Sequence, residues 1–186
     1  SPYSLFFYYK YHGQFKYFLY ICNMKRKLIT ILLTILMFNV YSQTSLELNV
    51  FQKINDYRVE NGLHRLKWDD ATYKSTIVHT EYMIKNNELS HTEDSETPNW
   101  WDRLNKGYVL GGENCGYVPI YDSSLEELSY EMVESWISSA PHNKALLNKN
   151  ATVGAVSSGV GMDLENWNGT TYNLRYFTLV VWGEAN

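Results

Sequence analysis

Downstream of Met24 the chain has a single cysteine, Cys115; the other of its two, Cys22, lies upstream of that methionine. One thiol cannot form an internal disulfide, so the region after Met24 must be held by its core alone. Unpaired cysteines are usually buried, which makes Cys115 a small core residue rather than a nucleophile. Basic residues are scarce as well. All 20 acidic residues but only 11 of the 16 Lys and Arg fall in residues 43–186, a formal charge of −9 for that region. Such a balance argues against a binder of nucleic-acid phosphates or anionic membranes and suits a soluble exported protein. Residues 43–186 contain no repeat and no low-complexity tract. There is no Gly-x-Ser-x-Gly elbow to activate Ser90, Ser135 or Ser139, and no His-Glu-x-x-His helix of the metalloprotease type.

What is present begins with a leader. Met24 is followed by Lys25-Arg26-Lys27, the apolar run Leu28 to Val40, and Val40-Tyr41-Ser42 as a small-residue cleavage site. The apolar run is short for a membrane span and ends in polar residues, which reads as a signal peptide over 24–42. Residues 1–23 read as a translated upstream extension, and 43–186 as one domain with no stable membrane span once the signal is removed.

Within 43–186, Thr44-Ser45-Leu46-Glu47 has the form of a capping box, and Val50, Phe51, Ile54 and Tyr57 recur at helical spacing before Gly62. Asp69 or Asp70 caps a second helix to about Asn87, with one apolar face at Tyr73, Ile77 and Ile84 and another at Ala71, Ser75, Val78 and Tyr82. Residues 98–105, with Trp100 and Trp101, predict a short third helix. Ser123 or Ser124 opens a fourth, striped by Leu125, Leu128, Met132 and Trp136; Pro141 ends it and starts a brief helix through Leu147. After Asn150 the texture turns to β, with Asn168-Gly169 as a hairpin turn. Helices followed by strands predict an α+β fold with helices covering the sheet. His79, off the strongest apolar stripe, reads as a surface or edge histidine. The Trp100-Trp101 pair reads as a core anchor or a roof over an apolar ligand.

Three polar motifs stand among these elements: Leu89-Ser90-His91-Thr92, Gly112-Glu113-Asn114, and Trp136 through Lys144 with Pro141-His142-Asn143. If they converge, His91, Glu113 and His142 form a set suited to Zn²⁺ or to acid/base work. The plainer reading is that Glu113 satisfies loop backbone and the histidines, with His142 helping to stop a helix.

Taken with Asn55-x-x-Arg58, Leu66-x-Trp68, His79-x-x-x-Met83, Val160-Gly161-Met162 and Phe177-Thr178-x-Val180-Val181-Trp182-Gly183, these motifs occur in the order seen in the CAP superfamily. The chain resembles its bacterial SCP-like extracellular branch from about Phe51 to Gly183. The resemblance implies a three-layer α-β-α sandwich with a mainly antiparallel central sheet and an open cleft. Eukaryotic members line that cleft with two histidines and two glutamates. On this chain those positions are His91, Glu113, Ser139 for the second glutamate and Tyr176 for the second histidine, with His142 as the bacterial-type substitute. Two functions stay open. One is a secreted, non-catalytic module binding an apolar small molecule, a cell-wall component or a protein, with a possible zinc held by His91, His142 and Glu113. The other is a metal-dependent hydrolase with a Zn-bound water, in which Glu113, His91 and His142 are catalytic.

Overall fold

Helix α1 (Ser45–Glu60) starts at Thr44, whose side chain accepts from the Glu47 amide while the Glu47 carboxylate accepts from the Thr44 amide at 2.7 Å. This capping box satisfies two donors that a helix start leaves orphaned. At the other end Gly62 has φ +76°, and the chain turns so that the Leu63 amide reaches the Arg58 carbonyl at 2.9 Å. The computed structural model describes residues 42–104, 106–107, 109–165 and 171–184. The extension, most of the leader and the Asn168-Gly169 turn lie outside the described residues. Among the described residues no helix is long and apolar enough to cross a membrane.

The chain continues through β1 (Lys67–Trp68), α2 (Asp70–Asn86), α3 (Trp100–Leu104), β2 (Val109–Ile120), α4 (Leu125–Ser138), α5 (Ala140–Leu146), β3 (Val153–Glu165) and β4 (Thr171–Glu184). Gln43–Asn186 is one compact unit. The sheet order is β1-β3-β4-β2; β1 runs parallel to β3 and the two long pairs are antiparallel. The sheet is therefore mixed, and mainly antiparallel. Alternating residues of β4 face two helical layers. Phe177, Leu179 and Val181 pack with α1, α4 and α5 around Ile54, Met132, Trp136 and Leu146. Tyr176, Val180 and Trp182 face the α2 and α3 side, against Met83 and Leu104. The fold is α+β with helices on both faces of the sheet.

Two expectations change. Strand β2 interrupts the helical half, where no strand was predicted, because Gly111-Gly112-Glu113-Asn114-Cys115-Gly116 lacks the β-branched alternation that marks strands. Its glycines serve approach: a Cβ on Gly116 would sit 2.5 Å from Met132 Cε, so the bare backbone lets α4 lie down on the sheet. Helix α2 has one broad buried face, not two apolar ones. Thr72, Tyr73, Ser75, Thr76, His79, Thr80 and Met83 are buried, while Ala71 and Val78 are exposed. That face is largely polar and works mainly by pairing, Ser75 Oγ alone on it being buried with no hydrogen-bond partner among the described residues. Trp182 Nε1 donates to Thr72 Oγ1 at 2.8 Å, and Thr80 Oγ1 lies 2.7 Å from Ser157 Oγ and donates to Thr178 Oγ1 at 2.8 Å. Such matched pairing offsets the cost of taking these hydroxyls and the indole N–H out of water.

Candidate functional site

The three motifs meet at β2, the free edge of the sheet. Successive residues of β2 point to opposite faces. Gly112 faces Ala145 of α5, where a Cβ would come within 2.9 Å. Asn114 faces the same way, and its Nδ2 donates to the His142 carbonyl at 3.1 Å, fixing the start of α5 against the strand. Glu113 and Cys115 face the α2 and α3 side. The site therefore straddles an edge strand, with Glu113 on one face and His142 on the other.

His91, in the loop after α2, spans the two. Its Nδ1 lies 3.1 Å from Glu113 Oε1, and its ring centroid is 6.4 Å from that of His142, tilted by 48°. The His91 side chain is 57 % exposed, whereas Glu113 is buried. The hydrogen bond to Glu113 raises the His91 pKa above the ordinary imidazole value. Burial, then the charge of His91, lowers that of His142.

Beneath His91 lies a network that sequence reasoning missed. Arg103 of α3 donates through Nη2 to Glu113 Oε2, and its Nη1 lies 3.2 Å from Glu93 Oε1 and donates to the Pro98 carbonyl at 3.0 Å. Its side chain is 3 % exposed. His79 is not a surface histidine; it is fully buried, with Nδ1 at 2.8 Å from Glu93 Oε1 and Nε2 at 2.8 Å from the Ser90 carbonyl. A carbonyl only accepts, so Nε2 carries a proton. The Nδ1–Glu93 pair then shares one further proton, whichever partner holds it, and is neutral overall. Arg103 and Glu113 form a second neutral pair. The misreading has a definite cause: His79 belongs to the polar buried face of α2, which a search for apolar stripes ranks as solvent-facing. A small-polar periodicity at Thr72, Thr76, His79 and Met83 was the available signal.

Other expected residues stand apart. Ser139 is the half-buried residue joining α4 to α5, and its side chain makes no capping bond to α5. Tyr176 is buried, but its hydroxyl donates to Asn87 Oδ1 at 3.2 Å and its ring packs beside Tyr117 at 5.7 Å between centroids. It stabilises the exit of α2, where Asn87 takes φ 50°, and makes no contact with His91, Glu113 or His142 among the described bonds. Trp100 anchors the core beside Leu104, Val180 and Trp182; Trp101 is 49 % exposed and lines a surface hollow of about 600 Å³ with Glu96, Trp100, Asp102 and Lys106.

Glu113 has both oxygens engaged, one by His91 and one by Arg103, so it fits an orienting role better than a metal-ligand role. Among the described residues, the metal-type donors that come within 4.8 Å of one another are His79, Glu113 and Cys115; His91 and His142 do not complete such a group with Glu113. The Cys115 thiol is pushed up well above its ordinary pKa, first by burial and then by the Glu113 charge. A tetrahedral Zn²⁺ with Zn–N bonds of about 2.0–2.1 Å sets two imidazole centroids roughly 5 Å apart, so His91 and His142, at 6.4 Å, would have to move closer to share one.

Comparison with known proteins agrees with this architecture. The chain is 35 % identical over 124 residues to the uncharacterized membrane protein YlbC of Bacillus subtilis, a match covering 65 % of this chain and 32 % of the relative. The match thus takes in about a third of that protein's length. Among solved structures it is similar to an extracellular protein containing an SCP domain from Bacillus anthracis, with TM-score 0.55 and 23 % identity over 75 % of this chain and 40 % of the other. It is also similar to an outer surface protein of Borrelia burgdorferi, with TM-score 0.54 and 15 % identity over 77 % of this chain and 97 % of the other. These two likenesses establish the fold. A profile of the cysteine-rich secretory protein family, CAP, matches residues 51–180. The chain belongs to the CAP family.

Proposed function

We propose that this is an exported, non-catalytic CAP binding module whose cleft presents the His91 and His142 imidazoles. The observation that carries this reading is the engagement of Glu113. Both of its oxygens are held, by Arg103 and by His91, so among the described residues Glu113 is not a free carboxylate placed as a base beside the imidazoles. A hydrolase acting through Glu113 would first have to break a buried ion pair. Zinc would be held by His91 and His142 once the two rings draw closer than their present 6.4 Å, with Glu113 orienting His91 through Nδ1, and would supply a Lewis-acidic point of attachment for a ligand. The ligand is an apolar small molecule, a cell-wall component or a protein, and the hollow lined by Trp100 and Trp101 of α3 offers an apolar contact surface. Export rests on the leader over 24–42, with cleavage before Gln43; the extracellular description of the Bacillus anthracis protein agrees with it.

Metal analysis and peptide profiling test this reading together. The purified protein is expected to take up about one Zn²⁺, His91→Ala and His142→Ala are each expected to weaken uptake by at least about tenfold, and no peptide should be cleaved. Turnover of a peptide library that is abolished by Glu113→Gln would establish the hydrolase reading instead. Absence of zinc uptake would remove the metal from both.

A further inference from the structure

The hollow beside α3 combines a flat apolar plate with charges of opposite sign that do not pair with each other. Its volume of about 600 Å³ falls within the roughly 300–1,000 Å³ of small-molecule sites, and its lining includes Glu96, Thr97, Trp100, Trp101, Asp102 and Lys106. Trp100 is the fixed wall. Its Cη2 lies 2.9 Å from where a Cβ on Gly111 would stand, so the ring rests on bare β2 backbone as well as on Leu104, Val180 and Trp182. Trp101 meets Trp100 edge to face, with centroids 5.6 Å apart and planes at 84°. In such a pair one ring covers at most one face of the other, and Trp101 is still 49 % exposed. Its indole is thus a platform set on an anchored neighbour.

The polar groups around the platform have spare bonding capacity. Among the described residues Glu96, the Thr97 hydroxyl and Lys106 make no hydrogen bond and no ion pair. Lys106 is placed instead by Trp182, with Nζ 5.8 Å from the ring centroid. Asp102 accepts from the Asn99 amide and from Asn99 Nδ2 through Oδ2, at 3.3 and 2.8 Å, which fixes the carboxylate and leaves Oδ1 without a partner among the described residues. A ligand filling the hollow must satisfy two carboxylates, a hydroxyl and an ammonium while covering an indole. A wholly apolar molecule would strand the polar groups. An organic cation would meet Lys106, and an anion would meet Glu96 and Asp102. A neutral sugar meets all the requirements, because a pyranose has an apolar C–H face and a rim of hydroxyls that each donate and accept.

We infer that this hollow is a subsite for a neutral pyranose, stacked by its C–H face on Trp101, with its hydroxyls donating to Glu96 and Asp102 and accepting from Lys106. The inference deepens the binding-module reading and rests on it: of the ligand classes open to the cleft it selects the cell-wall component, as a glycan. Trp101 supplies the contact and Trp100 holds it in place, so little ordering cost remains when the sugar arrives.

Cellotetraose and chitotetraose, two neutral β-1,4-linked glycans, are the probes, titrated calorimetrically into the full chain in EDTA so that zinc plays no part. At least one should bind with a Kd of about 1 mM or tighter. Trp101→Ala should weaken that binding at least about tenfold, and Trp101→Phe, which keeps a stacking face, by no more than about fivefold. Should Trp101→Ala fail to fold, the Trp101 indole N–H resonance of the unmodified protein, identified by its absence from Trp101→Phe, should shift on adding the sugar. Binding of neither glycan, undiminished binding by a folded Trp101→Ala protein, or an indole resonance that stays in place would overturn the inference. So would Trp101-dependent binding of choline or myristate in place of the sugars. Peptide turnover or missing zinc uptake counts instead against the reading of the imidazole cleft and leaves the outcome of this titration unchanged.

Discussion

His79 and His91 both approach Oε1 of Glu113, at 3.8 and 3.1 Å, yet His79 is fully buried and His91 is 57 % exposed. Around His79 both ring nitrogens have partners, and each charged side chain has its opposite within reach. Around His91 one nitrogen has Glu113, and a second imidazole of opposite pKa tendency stands nearby. The first arrangement resists change of charge, since losing one member leaves a buried charge behind. The second can gain or lose a proton or a ligand at little structural cost. In this cleft a single carboxylate stands between a sealed network and a more open pair of imidazoles.

The sharpest way to break that contrast is to remove the guanidinium. Arg103→Met should lower stability by about 3–5 kcal/mol, as expected when one partner of a buried ion pair is deleted, and urea unfolding would show it. A loss no greater than that of an exposed substitution would mean the network is not sealed as described. Thr80→Val should cost less, about 1–3 kcal/mol, because it strands the Ser157 and Thr178 hydroxyls inside the sheet–helix contact. His91→Ala should change unfolding free energy by less than about 0.5 kcal/mol while weakening zinc uptake.

A finer test uses pH. The His91 pKa is raised in the folded state, so its stabilising contribution is complete below the ordinary imidazole value and is lost as pH rises through the raised one. The His142 pKa is lowered, so the unfolded chain binds its proton first and stability increases as pH rises from the lowered value to the ordinary one. Proton NMR of the imidazole resonances, assigned with His91→Ala and His142→Ala, should show His91 protonating before His142 as pH falls. The reverse order would put Glu113 out of contact with His91.

The helices were the readable part of the chain because their ends carry local chemistry. The capping boxes at Thr44 and Ser124, the Asp69 cap and Pro141 at the head of α5 each act within a few residues. The edge strand β2 was not readable, since its glycines answer to α4 and α5, far away in sequence. The same division runs through the site. His91, Glu113 and His142 could be singled out by motif, and their meeting at β2 follows the order of those motifs. Arg103 and Glu93 could not, because a polar loop and a one-turn helix look solvated until the sheet and α2 enclose them. Tyr176 shows the converse: a position matched by pattern whose hydroxyl is directed to Asn87.

Glu47 began as the third residue of a helix cap, but its carboxylate also accepts from the Tyr73 hydroxyl at 2.8 Å and the Ser158 amide at 2.7 Å. One side chain thus joins the start of α1 to α2 and to β3. The Ser158 amide can exchange with solvent only when that three-way clasp opens. In hydrogen-exchange terms, the first turn of α1 should open with the sheet as one unit rather than fray as helix ends usually do.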